Sequence, residues 1–396
     1  MRLLFVADGR SPIALNWISH FAESGHEVHL VSTFPCLRQL NLASLEVIPV
    51  AFASAAGGSS RSSSGLRRLI PVGLRTAVRQ CLGPLTLSPA ARRLAEIIAR
   101  IQPELVHALR IPYEGMLAAL ALAEAAYPPL VISVWGNDFT LHAPASESMG
   151  RYTRRALERA DALLADCRRD LRLANEWGFE AVKPAAVLPG GGGVQLDLFY
   201  PPPQGEIQQP VVINPRGFRA YVQNEAFFHA IPLVLQAHPE VRIVCPAMAG
   251  EAQAQGWISE LRIAASVDLL PHQTRPQMAE LFRRAPVAVS PTTHDGTPNT
   301  LLEAMACGCF PVAGDLEPLR EWIIPGENGL LVDPTQPQAL AQAILAALDD
   351  PTLCARARQA NTALIAARAD YRQVMASAEA FYQDRINRPH PSPPPR

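Results

Sequence analysis

Short apolar runs recur along this chain with a helical pattern between successive ones, and that alternation restricts the fold to parallel sheets covered by helices. Residues 2–7 form the first run. A Gly-containing turn, a helical pattern through Trp17, Ile18, Phe21 and Ala22, and the strand-like 27–31 complete a βαβ opening. Further strands are predicted at 45–50, 105–107, 129–134 and 162–165. The series then restarts, with strands at 211–214, 241–245, 267–270, 287–290, 310–313 and 330–332 and helices at 225–237, 253–265, 277–284 and 337–348. At roughly 150 residues per domain, 396 residues give two such units. Gly and Pro concentrate in LPGGGGV and FYPPPQG, which places the boundary there. The expected organisation is a first domain at 1–195 with a basic insert at 54–90, a linker at 196–210 and a second domain at 211–368. A last helix over 369–386 and a structureless tail at 387–396 follow.

Composition excludes several functions. With 48% hydrophobic residues, 18% charged and a net charge of −1, the chain is globular and no overall polycation, so nucleic-acid binding is disfavoured. Its seven cysteines are scattered without a CxxC pair, against a disulfide framework or thiolate zinc site, and a reducing cytoplasm is the expected compartment. The run at the amino terminus, broken by Asp8, reads as a strand and not a leader. Lys183 is the only lysine, which rules out a Walker A loop. GxGxxG is absent from the first strand-helix turn, and no Asp has another Asp two residues on to hold a metal against a diphosphate.

The stretch 289–334 carries the chemistry. Thr297 is the expected N-cap, Pro298 the first helical residue, and a short helix over 299–307 ends at Gly308. Free amides at the start of a helix, with its positive pole, make a phosphate site. The amides of Thr297, Asn299 and Thr300 are the donors expected there, with Gly296 beside them in the donor site. Asp295 and Glu303 stand about two turns apart, too far for an acid dyad but suited to sugar hydroxyls and a ribose diol. Either acid alone could equally cap or solvate the helix.

Asp295-Gly296, Glu303-Ala304-Met305-Ala306-Cys307-Gly308, Pro311-Val312, Glu321 and Asn328-Gly329-Leu330-Leu331-Val332-Asp333-Pro334 together resemble the carboxyl-terminal signature of family 4 glycosyltransferases. The resemblance implies a GT-B fold, two Rossmann-like domains facing across a cleft, with the nucleotide sugar on the second and a last helix returning to the first. It implies retaining, metal-independent transfer from a nucleoside diphosphate sugar, with no cofactor besides that donor and no side-chain base. Arg216 matches the family's diphosphate-binding arginine, and its planar fork suits two phosphate oxygens. The family's lysine is missing and Arg219 is its substitute; Asp295 stands where the family has glutamate. Glu303 is assigned to the ribose and Asp295 to the sugar.

In the first half, VWGND over 134–138 resembles the motif that carries histidine before Gly, here Trp135. Asp138 and Asn137 are assigned to acceptor or donor-sugar contact, with Trp135 a stacking platform or a buried neighbour. Gly9 matches the glycine that approaches the donor phosphates, His272 falls where the family holds the base, and His107 lines the cleft or sits in the core. Residues 61–100 hold eight arginines against Glu96 alone, a solvated face or a contact with an anionic membrane. The acceptor is a glycan, lipid or small molecule. The alternative is a catalytically weakened sugar-nucleotide or glycan-binding protein of the same fold.

Overall fold

The strand Arg2–Ala7 (β1) is apolar on both faces after its first residue, as a strand must be when helices cover both sides of its sheet, and Leu3 to Ala7 are fully buried. The computed structural model describes residues 1–51, 83–123, 128–203 and 210–388. The low-complexity segment 54–65, the arginine-rich stretch before residue 83 and the tail from 389 lie outside the described residues. Two compact units emerge, Met1–Gly192 with Val374 onward, and Gly193–Gln373.

In the first unit, β1, Glu27–Ser32 (β2), Ser44–Val47 (β3), Leu105–Ala108 (β4), Leu130–Val134 (β5), Ala162–Ala165 (β6) and Ala185–Val187 (β7) form one parallel sheet in the order β3-β2-β1-β4-β5-β6-β7. The register sets Leu3 beside Val28 on one side and Leu105 on the other. Among the described residues the helices that accompany it include Pro12–Glu23 (α1), Leu87–Ile101 (α2), Met116–Ala121 (α3), Glu147–Arg159 (α4) and Arg168–Glu176 (α5). Helix α2 shows what becomes of the described part of the basic stretch. Leu87, Ala90, Ala91, Leu94, Ile97 and Ile98 make one buried stripe at helical spacing, while Arg92, Arg93 and Arg100 face solvent.

The second unit repeats the plan with Val211–Ile213 (β8), Arg242–Cys245 (β9), Val267–Leu269 (β10), Val287–Ser290 (β11), Phe310–Gly314 (β12) and Leu330–Val332 (β13), ordered β10-β9-β8-β11-β12-β13 and parallel throughout. Its helices are Asn224–Ala237 (α6), Ala252–Leu261 (α7), Arg275–Arg284 (α8), Asn299–Ala306 (α9), Pro337–Asp349 (α10) and Pro351–Arg368 (α11). The last helix, Tyr371–Asn387 (α12), enters the first unit from Val374 on.

The chain leaves the first unit earlier than the Pro-rich linker expected at 196–210. Gly191, Gly192 and Gly193 all have positive φ (68°, 88° and 85°), a conformation glycine adopts without a Cβ penalty. Val194 then bonds into the second unit, donating to Ala369 O at 2.7 Å and accepting from Tyr371 N at 2.9 Å. Among the elements named above, β7, α5 and α11 were not foreseen. Among the described residues no helix is long and apolar enough to cross a membrane.

Candidate functional site

In an open parallel sheet the strand order reverses at one place, and the loops leaving the carboxyl ends of the two strands there diverge and leave a crevice. In the second unit these strands are β8 and β11. Arg216 leaves β8 and Asp295 follows β11, so two residues 79 apart in sequence meet as an ion pair, Arg216 Nη2 to Asp295 Oδ2. Arg216 Nη1 donates to Thr300 Oγ1 at 3.0 Å. Its Nε is buried and has no hydrogen-bond partner among the described residues, and the same holds for Ser290 Oγ and Asn299 Oδ1. Buried polar atoms are nearly always bonded, so these three mark a place built for further polar contact. Burial lifts the Asp295 carboxyl above its ordinary range, opposed by Arg216, by Arg219 and by the Gly296 amide.

Two asparagines that sequence reasoning missed hold the Arg216 loop. Asn214, fully buried, accepts from Arg216 N at 3.1 Å and donates to Asn224 Oδ1 at 3.2 Å; Asn224 donates to Gly217 O at 3.0 Å. Close packing fixes the opposite loop. A Cβ on Gly314 would lie 2.2 Å from Thr292 O, so the end of β12 needs glycine for the loop between β11 and α9 to pass.

The start of α9 differs from expectation. Pro298 is the N-cap, with extended ψ of 118°, and its carbonyl accepts from Leu301 N and Leu302 N. Thr297, expected to cap, instead has its hydroxyl bonded by Trp322 Nε1 at 3.2 Å, which draws that side chain into the core. Gly296, expected in the donor site, has its amide on the Asp295 carboxylate. The amides of Asn299 and Thr300 stand in the first turn of α9, at its positive end.

One turn into α9, Glu303 meets Arg275, whose Nη2 lies 3.2 Å from Glu303 Oε1. Burial outweighs that cation and pushes the Glu303 carboxyl up to about 7. Arg275 went unremarked in the sequence, although Thr274-x-x-Gln277 at the start of α8 is a legible capping box. Arg219 is exposed beside Tyr221, and His272 is exposed in the loop after β10.

In the first unit the order reverses at β1 and β4. Gly9 follows β1, its amide bonded to Ser32 Oγ at 3.0 Å, and a Cβ there would stand 2.5 Å from Cys36 Sγ. After β4, Arg110 (φ 112°, ψ 163°) and Tyr113 (φ 71°) hold backbone conformations rare for residues with a Cβ. Arg110 Nη2 donates to Asp138 Oδ1 at 2.5 Å and Asn137 Oδ1 at 3.1 Å. Asp138 is the chief correction here. It is buried, and its second oxygen accepts from Ile111 N and Trp135 N, so it ties two loops together and presents nothing outward. Trp135 and Asn137 of the same motif are half-buried.

Of the two readings of His107, cleft or core, the structure gives the core. It is fully buried between Tyr382 Oη on Nδ1 and Ser133 Oγ on Nε2, and desolvation pushes its pKa down to about 3. Asp166, Cys167 and Asp170 stand close enough together to share a cation. Arg169 already fills that role, bonding Asp170 and Gly136 O, and burial keeps the thiol protonated.

Two family models match complementary stretches, "Glycosyl transferase 4-like" over residues 2–167 and "Glycosyl transferases group 1" over 206–363. The chain belongs to the family 4 glycosyltransferases. Among curated relatives of the chain is the D-inositol 3-phosphate glycosyltransferase of Thermobispora bispora, 27% identical over 229 residues, 53% of either chain. The chain spans about half the length of the curated relatives it matches. Sucrose-phosphate synthase from Thermosynechococcus elongatus superposes with a TM-score of 0.74 at 18% identity, covering 97% of this chain and 99% of that one. Anabaena Alr3699/HepE in complex with UDP gives 0.73 at 18% identity over 97% and 100%. At that identity the likeness shows the fold alone, which is GT-B.

Within the chain the second unit gathers Arg216, Asp295, Thr300 and the first amides of α9 around one reversal of strand order, with Arg219 acting on Asp295. Glu303 stands one turn further along α9 with Arg275. The first unit gathers Arg110, Trp135, Asn137 and Asp138, and leaves His107 behind in its core.

Proposed function

We propose that the protein transfers a glycosyl group from a nucleoside diphosphate sugar to an acceptor, with retention of configuration and without a metal. The observation that carries this reading is the buried Arg216 guanidinium at the reversal of the second sheet, beside the free amides of α9. Leaving-group charge develops on the diphosphate, and a fixed cation with oriented amides in a site of low dielectric stabilises it without reorganising. Asp295 is the anion on Arg216 when no diphosphate is bound. On donor binding the diphosphate takes that place, and Asp295 turns to the sugar hydroxyls. Glu303 accepts from the ribose diol. The departing phosphate oxygen takes the acceptor's proton on the face it leaves, so no side chain serves as base. Trp135 and Asn137 are assigned to the acceptor.

HepE binds UDP, which makes UDP the first nucleotide to try. Release of nucleoside diphosphate from UDP- and GDP-sugars, followed with and without a detergent-solubilised lipid acceptor, tests the proposal. Arg216→Ala is expected to lower turnover about 100-fold, and EDTA to leave it unchanged. Tight nucleotide binding with neither transfer nor hydrolysis would favour the weakened binding protein, a reading supported by the missing lysine and by Asp295 already seated on Arg216. Membrane contact through residues 61–100 predicts binding to acidic vesicles that falls as salt rises; absence of binding at low salt removes it.

A further inference from the structure

Arg275 is the first residue of α8, behind Thr274, whose amide donates to Gln277 Oε1 at 2.9 Å. Its guanidinium lies over the ring of fully buried Phe199, 5.3 Å from the centroid, an arrangement that fixes the plane of the fork. From that seat Nη2 reaches Oε1 of Glu303. A partly exposed cation thus bonds one oxygen of a carboxylate whose side chain is only 12% exposed. We propose that Arg275 is a positioning residue, which holds Glu303 by one oxygen and turns the other toward the ribose diol of a bound nucleotide. This inference rests on the functional reading above and adds to it the residue that sets the ribose contact.

The other charged groups around α9 point elsewhere. Arg216 acts on Thr300 and Asp295 at its start. Arg283 of α8 and Arg358 of α11 act on Cys307 and Cys309 at its far end. Arg275 is the one cation acting on Glu303 among the described residues. An ionised carboxylate only accepts, so one oxygen serves Arg275 and the other the diol, whereas protonation puts a donor on one of them, and Glu303 titrates near neutrality because burial opposes its charge. Arg275 therefore holds the carboxylate in place and also keeps it charged.

Calorimetric titration of the full chain with UDP and GDP, and with their 2′,3′-dideoxy counterparts, tests this between pH 6.5 and 9. Arg275→Gln is expected to weaken binding of the ribose nucleotide about tenfold at pH 7 and to leave the dideoxy nucleotide unaffected. The deficit shrinks as pH rises and Glu303 ionises unaided. Arg275→Lys recovers most of the affinity, and Glu303→Gln loses the preference for the diol at every pH. Wild-type affinity and diol preference in Arg275→Gln would overturn the proposal, as would an equal, pH-independent loss for ribose and dideoxy forms. If the unaltered protein binds neither UDP nor GDP, the functional reading falls and this inference with it.

Discussion

Glu303 and His107 are two buried ionisable groups with opposite consequences for stability. The Glu303 carboxyl is raised from 4.5 to about 7, so its contribution is complete below 4.5 and is lost as pH rises through about 7. Glu303→Gln removes a penalty of up to about 3 kcal/mol, and is expected to melt higher than the unaltered protein at pH 8 and to match it at pH 4.5. His107 is lowered from 6.5 to about 3, so the stability it confers is present above 6.5 and lost as pH falls toward 3. Urea unfolding of His107→Gln between pH 6.5 and 4 should show a shallower acid loss, by about 1 kcal/mol per pH unit. A slope equal to that of the unaltered protein would place the acid sensitivity in another group.

At the level of single elements, the loop between β11 and α9 carries most of the site, and β12 sets its path. Gly314→Ala puts a methyl group 2.2 Å from Thr292 O, and backbone must move to admit it. About 2 kcal/mol of destabilisation in urea is expected, together with weaker nucleotide binding, because Asp295 and Pro298 share that loop. Stability loss with unchanged nucleotide affinity would show the loop to be more compliant than its packing suggests. The strands were largely legible because buried parallel strands are apolar on both faces, as β1 and β11 are. The helix α11 was not, since Pro351 through Arg368 is mixed in polarity and buries only Ala357, Asn361 and Ile365. The start of α9 was misplaced by one residue because Thr297 is a good cap in isolation and only the fold brings Trp322 to its hydroxyl. Arg216, Asp295 and Glu303 could be named from sequence, but their partners could not. The pairings Arg216–Asp295 and Arg275–Glu303 span 79 and 28 residues, and no local pattern announces them.

For the molecule as a whole, the chain crosses from one unit to the other twice, near residues 192 and 373, and α12 completes the first unit. Its Tyr382 is fully buried, its hydroxyl bonded by Trp17 Nε1 at 2.8 Å and joined to His107, with its ring stacked 4.8 Å from that of Phe21. Tyr382→Ala should destabilise the first unit by about 3–5 kcal/mol and leave the melting of residues 193–373 unchanged in a calorimetric scan. The bonds joining Val194 to Ala369 and Tyr371 hold the ends of the second unit side by side. That splice also decides how the protein answers a pull. Handles at residues 1 and 388 would both grip the first unit, so tension must peel Tyr382 from its aromatic seat before any reaches the sheet that carries Arg216, and the second unit is sheltered from stretching until then.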